Sequence, residues 1–366
     1  MGAECRTTTG AAPAGGRWQG LAAQGTALAL GTAGGALLYT FQLPLAWMIG
    51  SMLATAIAAI AGMRVRVPRA MRSGMIMVLG IMLGSAFNPA ILSALDRWAV
   101  TLSALAVYIV VCTAIGSLYL SRLGRCDPVT SYFTATPGGF NEMVLMGTAL
   151  GGDERTIALS HSLRVMLVVF TVPVWFRYMG DVQMGPRPSM GPAFGELELV
   201  EYLMLGACAI GGPIASRLRL PAAWLLGPMV LSAAIHLAGI TDSRPPAVLI
   251  AIAQVVVGSF IGCRFVGTRL RLAARVLLIA AGLTAILLAI TVAFAVALHF
   301  ATGIPIADLV LAYAPGGLAE MSLVALALHS DAAFVSTHHL VRILLIIMFA
   351  APAYRLMRRT QPPPEP

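Results

Sequence analysis

The chain contains no lysine, and only 11% of its 366 residues are charged. A soluble domain devotes roughly a quarter of its residues to charge, so this chain has too little to cover an aqueous exterior. Its five cysteines, Cys5, Cys112, Cys126, Cys208 and Cys263, form no C-x-x-C pair, which leaves neither a disulfide framework nor a zinc site. Histidine is sparse, and apart from the adjacent His338 and His339 it is dispersed. The open-sided histidine cluster of a copper oxidase is therefore missing. No GxxxxGK[ST] loop is present to cradle a nucleotide phosphate, which excludes ATP-driven pumping by this chain. The longest connection between apolar runs, Met179 to Glu198, is too short for a soluble DNA-reading element. These absences argue against an enzyme, a bound metal, a cofactor or a direct nucleic-acid partner.

What is present is apolar. Hydrophobic residues make up 58% of the chain, and the mean hydropathy is +0.86. Apolar stretches of about 20 residues recur along the whole length, the signature of an all-α polytopic membrane protein. All 24 basic residues are arginine and the formal charge is +9; in a membrane protein such an excess reads as positive-inside bias rather than nucleic-acid binding. Residues 1–20 are small and polar, with no apolar core of a cleaved leader, so the first apolar run is expected to stay in the protein. Residues 358–366 end in a proline-rich stretch expected to be disordered.

The sequence repeats itself. LPLAWMIGSM from Leu43 returns as LPAAWLLGPM from Leu220. Gly80, Gly84 and Phe87 return as Gly258, Gly262 and Phe265, and PGGFNEMVLMGTAL from Pro137 returns as PGGLAEMSLVALAL from Pro315. Over Pro137–Val165 against Pro315–Ile343, 11 of 29 positions are identical, among them a proline, a glutamate, a histidine and an arginine. The expected organisation is a tail (1–20), a first membrane repeat (21–178), a linker (179–198), a second repeat (199–357) and a tail (358–366). Each repeat holds six apolar segments, and Pro-Gly-Gly interrupts the fifth.

Charge distribution favours a particular topology. If all twelve segments crossed, 14 arginines would lie inside and 8 outside. If the Pro-Gly-Gly segments are instead re-entrant, five helices cross per repeat. Then 18 arginines lie inside and only Arg97, Arg177, Arg187 and Arg244 outside, with Arg164 and Arg342 left within the membrane. An odd number of crossings makes the repeats inverted. The expected fold is thus two inverted repeats, each of five transmembrane helices plus a re-entrant or broken helix, with both termini cytoplasmic.

The Pro-Gly-Gly breaks are candidate binding elements. A break at mid-depth exposes backbone groups that lipid cannot satisfy, so it must be buried in protein or line a cavity. The helix restarting after Gly139 or Gly317 aims free N–H groups there, a site suited to a small anion. Glu142 and Glu320 follow in the first turn, either as dipole-complementing caps or as carboxylates coupled to a proton or cation. Arg164 and Arg342 lie within the sixth segments, where charge is costly unless paired. Each either forms an ion pair with a nearby glutamate or clamps a substrate. His161 and His339 stand three residues earlier, on the same helical face, as proton relays or as backbone-bonding histidines. Asp153 and Asp331 read as caps of the sixth helix. Trp47 and Trp224 read as duplicated anchors, and the GxxxG pairs as points of close helix contact.

The twin PGGxxEM elements, the His-x-x-Arg after each and the LPxAWxxGxM openings resemble the AbrB-duplication family of bacterial membrane proteins. Its members are often labelled transcriptional regulators or ammonia monooxygenases. The resemblance runs from about residue 21 to 357. It implies a bacterial inner-membrane protein whose halves are similar to cation/proton-antiporter and anion-transporter folds. The motif positions it carries over are Pro137, Gly138, Gly139, Glu142, His161 and Arg164, with Pro315, Gly316, Gly317, Glu320, His339 and Arg342. Asn141 stands opposite Ala319, so the two elements are not equivalent.

The resulting expectation is a secondary transporter of a small organic anion or other small polar solute, coupled to H⁺ or Na⁺. Substrate would meet Pro137, Gly138, Gly139, Asn141, Arg164, Pro315, Gly316, Gly317 and Arg342, and coupling would fall to Glu142, Glu320, His161 and His339. The alternatives are a cation/proton exchanger and a non-transporting membrane sensor that affects gene expression indirectly. Expected partners are lipid and a small molecule or ion, with homo-oligomerisation left open.

Overall fold

The computed structural model describes residues 15–87, 95–179, 191–268 and 270–359. Most of both expected tails and the middle of the linker lie outside the described residues. Within them the chain is all helix: α1 (Gly15–Thr40), α2 (Ala46–Ile60), α3 (Arg69–Gly84), α4 (Leu95–Tyr119), α5 (Pro128–Ala135), α6 (Phe140–Ala149), α7 (Glu154–Met179), α8 (Leu199–Ala209), α9 (Gly211–Arg217), α10 (Ala223–Leu237), α11 (Ala247–Gly262), α12 (Leu270–Thr302), α13 (Ile306–Tyr313), α14 (Leu318–Ala327) and α15 (Ala332–Arg359). The duplication is visible element by element: α2 to α7 reappear as α10 to α15. Even the left-handed residues before α2, Gln42 and Leu45, have left-handed mates before α10 in Arg219 and Ala222.

Seven stretches among the described residues are long and apolar enough to cross a bilayer: α1, α4, α7, α8 with α9, α11 with its terminal turn, α12 and α15. The chain is a multi-pass membrane protein. Five full-length crossings per half are not seen, because α2 and α10 have 15 residues and α3 has 16. At 1.5 Å per residue these reach roughly 22–24 Å, short of a ~30 Å hydrocarbon core. α2 is sheltered from lipid along most of its length. Ten of the fifteen α2 residues are buried, so protein rather than lipid surrounds this helix and sets its length.

The core is built by exchange between repeats: α2 packs on α11, and α3 on α10. The GxxxG pairs make this possible. Gly80 and Gly84 of α3 press against the carbonyls of Leu225 and Met229 in α10, and Gly258 and Gly262 of α11 press against those of Met48 and Met52 in α2. Leu225 and Met229 are the repeat mates of Met48 and Met52, so the contact is reciprocal. In each pair the residue numbers rise together, so the two helices run parallel. Hydroxyls bridge the same seams: Ser232 donates to the Ile81 carbonyl at 2.8 Å, and its mate Thr55 to that of Ser259 at 3.4 Å.

The Pro-Gly-Gly segments fold back on themselves. α5 and α6 have 8 and 10 residues, about 12–15 Å each. The Asp153 amide, just past α6, donates at 2.8 Å to the Thr130 hydroxyl in the first turn of α5. The start and end of the element are therefore neighbours, as in a re-entrant hairpin. The second element closes the same way, with the Asp331 amide donating at 3.1 Å to the Asp308 carboxylate in the first turn of α13.

The glycine seams give a direct expectation. Gly84→Val drives side-chain carbon into the Met229 backbone and should cost about 1–3 kcal/mol or more. Gly74 of the same helix has open space beside it, so Gly74→Ala should hold or raise the unfolding midpoint of detergent-purified protein, since alanine favours helix over glycine. An unchanged midpoint for Gly84→Val would mean that α3 and α10 do not meet there.

Candidate functional site: the two hairpin breaks

Each break leaves a carbonyl-rich helix end on one side and an amide-rich helix start on the other. At the first, α5 ends at Ala135, Thr136-Pro137-Gly138 turns the chain, and Gly139 caps α6. Proline supplies no donor and blocks helix continuation. The second break, Ala314-Pro315-Gly316 with Gly317 capping α14, is its copy.

The carbonyl side is met by arginine. Arg164, 3% exposed, donates through Nη1 to the Thr136 carbonyl and through Nη2 to that of Gly138, both at 3.3 Å. Arg342, 2% exposed, donates to the carbonyls of Tyr313 at 3.3 Å, Ala314 at 2.7 Å and Gly316 at 2.9 Å. A cation here also faces the negative end of the α5 or α13 dipole. Of the two readings the sequence left open, the Arg–Glu ion pair is not formed: the freed carbonyls of the broken helix serve as the acceptors instead. In both residues Nε keeps a buried N–H without a hydrogen-bond partner.

Histidine completes each unit. His161 Nε2 lies 2.9 Å from the Phe133 carbonyl and Nδ1 lies 2.7 Å from Arg164 Nη2. A carbonyl only accepts, so Nε2 carries the hydrogen and Nδ1 accepts from the guanidinium. His339 repeats this with the Leu311 carbonyl at 2.9 Å and Arg342 at 2.8 Å. A proton arriving at Nδ1 would have to displace the arginine, which is a poor arrangement for a relay. His338, which lacks a mate, bonds to the Phe334 carbonyl and the Thr101 hydroxyl. Asp153 and Asp331 cap α7 and α15 through the amides of Arg155 and Thr156 and of Ala333 and Phe334.

On the amide side, Glu142 and Glu320 occupy the third helical position. Each carboxylate folds back against the Cα of its capping glycine, into the space that a Cβ would fill. That contact requires glycine at 139 and 317. It puts negative charge at the positive end of each short helix. Asn141 is exposed beside Glu142, whereas Ala319 is buried.

Two arginines that counted only towards topology in the sequence stand at this side. Arg264, in a 3₁₀ turn (Cys263–Phe265) after α11, rests with its guanidinium carbon 3.5 Å from the centroid of Phe140 and 5.4 Å from that of Phe260. Arg72 of α3 lies 4.8 Å from the Phe260 centroid. Arg72 feels the carboxylates of Glu320 and Glu142, and Arg264 feels Arg72 and Glu320. Neither arginine has a mate in the other repeat, so a search guided by duplication passes over both. Arg264 stands between Phe260 and Phe265 in sequence, too common a feature to have revealed it, and Arg72 has no aromatic residue near it in sequence at all.

Two other features bear on the choice of site. Among the described residues no group of three or more His, Cys, Asp or Glu is arranged to hold a metal. An open cleft of about 950 Å³ lies away from the breaks, lined by Glu196, Glu198, Glu201, Asp242 and Arg244 among others. Its glutamates serve local structure, since Glu196 accepts from the Ala193 amide while Glu198 and Glu201 form a capping box.

Twin re-entrant hairpins with capped breaks, set among apolar crossing helices, define a duplicated polytopic membrane protein. The family profile described as "Transition state regulatory protein AbrB" matches residues 47–358, and the chain belongs to this AbrB family. It is similar to "Uncharacterized protein YhjN" of Bacillus subtilis (strain 168), at 27% identity over 353 residues, covering 90% of this chain and 92% of that protein. It is also similar to "Putative regulator AbrB" of Escherichia coli (strain K12), at 27% identity over 315 residues, covering 84% and 88%.

The arginine units make unequal numbers of bonds, and stability should follow. With hydrogen bonds to charged groups worth about 1.5–3 kcal/mol each, Arg164→Gln should cost about 2–5 kcal/mol and Arg342→Gln more. Unfolding midpoints of the two variants in detergent check the order. Equal, negligible losses would mean that the carbonyls find other donors.

Proposed function

We propose that the protein is a secondary active transporter, without enzymatic activity, that carries a small polar solute across the bacterial inner membrane by alternating access. The observation that carries this reading is the pair of re-entrant hairpins whose helix starts hold charged side chains inside an apolar bundle. Lipid tolerates neither broken backbone nor intramembrane charge unless they line a polar path or a buried site. The substrate is a small organic anion or other small polar solute, bound at the amide side of the breaks. Glu142 and Glu320 couple its movement to H⁺ or Na⁺.

Inverted repeats fit the same picture. α3 runs parallel to α10, the mate of α2, and we read the consecutive helices α2 and α3 as running in opposite directions. On that basis α2 and its mate point oppositely, as inversion requires. The charge distribution then favours cytoplasmic termini. A cation/proton exchanger is the second reading, favoured by two carboxylates that have no hydrogen-bond partner among the described residues. The regulatory descriptions of the family and of the Escherichia coli relative are compatible with either, because a change in intracellular solute reaches gene expression indirectly.

Uptake into proteoliposomes tests the proposal. Wild-type protein should accumulate at least one labelled carboxylate or amino acid under an imposed H⁺ or Na⁺ gradient. Glu142→Gln or Glu320→Gln should reduce that accumulation about tenfold or more while the protein still purifies as a folded species, as expected for losing a coupling charge. Gradient-driven H⁺ exchange for Na⁺ without any solute would favour the exchanger. Neither activity in folded protein would overturn the transporter reading.

A further inference from the structure

Arg72, Arg264, Glu142 and Glu320 come from four different elements, two of each charge, and all four are half-buried. We propose that this quartet recognises a zwitterionic solute of the α-amino-acid type, with Arg72 and Arg264 receiving its carboxylate and Glu142 and Glu320 its ammonium. The inference rests on the transporter reading and narrows its substrate.

Three observations carry it. The first is that the opposite charges are near one another yet unpaired. Arg72 lies in the field of both glutamates, and α14, which bears Glu320, packs on α3, which bears Arg72. Nevertheless no ion pair or hydrogen bond joins a guanidinium of the quartet to either carboxylate. Half-buried opposite charges would normally close into direct contact, because unpaired charge in a poorly solvated site is costly.

The second is that each charge is held back by a specific neighbour. Both carboxylates lie against capping glycines, in space that any other residue would occupy with its Cβ. Both arginines lie on aromatic faces, Arg264 on Phe140 and Phe260, and Arg72 on Phe260. A guanidinium stacked by its face keeps its in-plane N–H donors for a carboxylate, which it can take in a bidentate fashion. The arrangement keeps the charges apart and the donors and acceptors available.

The third is charge balance. A simple anion would gain two guanidiniums but meet two carboxylates, and a simple cation would suffer the reverse. A solute carrying both charges a few ångströms apart satisfies both pairs. Phe140 and Phe260 add apolar surface for a side chain. Asn141, exposed next to Glu142, and the inequivalence of Arg72 and Arg264 across the repeats make the site one-sided, as a single asymmetric ligand needs.

The test uses wild-type, full-length protein in detergent and so does not depend on any variant folding. Thermal stabilisation is measured with each of the common amino acids. For any that bind, it is then measured with the matching amine, which lacks the carboxylate, and the matching carboxylic acid, which lacks the ammonium. The expected result is stabilisation by one or more amino acids, with both single-charge analogues at least about a hundredfold weaker, since a site built to pair a polar group rejects a ligand lacking it. Arg264→Gln and Glu320→Gln should then each abolish the amino-acid response. A carboxylic acid binding as tightly as its amino acid would overturn the zwitterion and leave an anion carrier; an equally tight amine would overturn it in favour of a cation site. Accumulation of some other solute in proteoliposomes, with no amino acid binding, would also overturn the inference while leaving the transporter reading intact. Failure of every solute in both assays would remove the two together.

Discussion

A polypeptide that breaks a helix inside an apolar bundle must supply its own partners for the freed backbone groups. That constraint organises this molecule. At each break the carbonyls are met by a buried arginine, the arginine is steadied by a histidine, and the histidine is anchored to a carbonyl one turn back in the same hairpin. The hairpin and the helix that follows it thus form one hydrogen-bonded unit. The unit answers an energetic demand that would otherwise forbid a re-entrant segment. It also divides the labour at the break, with arginine and histidine serving the carbonyl side and leaving the amide side to glutamate.

The second organising feature is the exchange of helices between repeats. Because α2 packs on α11 and α3 on α10, neither repeat has a complete core of its own. Glycine at the crossing points lets backbone meet backbone, where van der Waals contact and hydroxyl-to-carbonyl bonds act between helices that lipid would solvate equally well. The same exchange delivers Arg72 from the first repeat and Arg264 from the second to one place, beside a glutamate from each hairpin. The candidate site therefore belongs to the junction rather than to either half.

Membership of the AbrB family comes with a regulatory description, whereas the architecture is that of a multi-pass membrane protein. Under the transporter reading proposed above, the two are reconciled, since a change in solute concentration is a signal that other proteins read. The charge pattern at the hairpin starts gives that proposal its chemical content, because opposite charges are held apart there without closing on one another.

Much of this architecture was legible in the residues themselves. Membrane residence followed from the shortage of charge, and the duplication from motifs too specific to recur by chance. The helix breaks followed from Pro-Gly-Gly, and their re-entrance from the way arginines divide between the two sides. These are local or compositional consequences, written in residue type and spacing. The partners of Arg164 and Arg342 escaped because sequence shows which charges need partners but not that a broken helix offers its own backbone carbonyls. The shortness of α2 escaped because an apolar run does not reveal whether lipid or protein surrounds it. Arg72 and Arg264 escaped because they are unique to their repeats and 192 positions apart. Only the packing of α3 on α11 brings Arg72 to Phe260, one turn before Arg264, and a contact between distant helices is set by how surfaces fit, which no single stretch of sequence encodes.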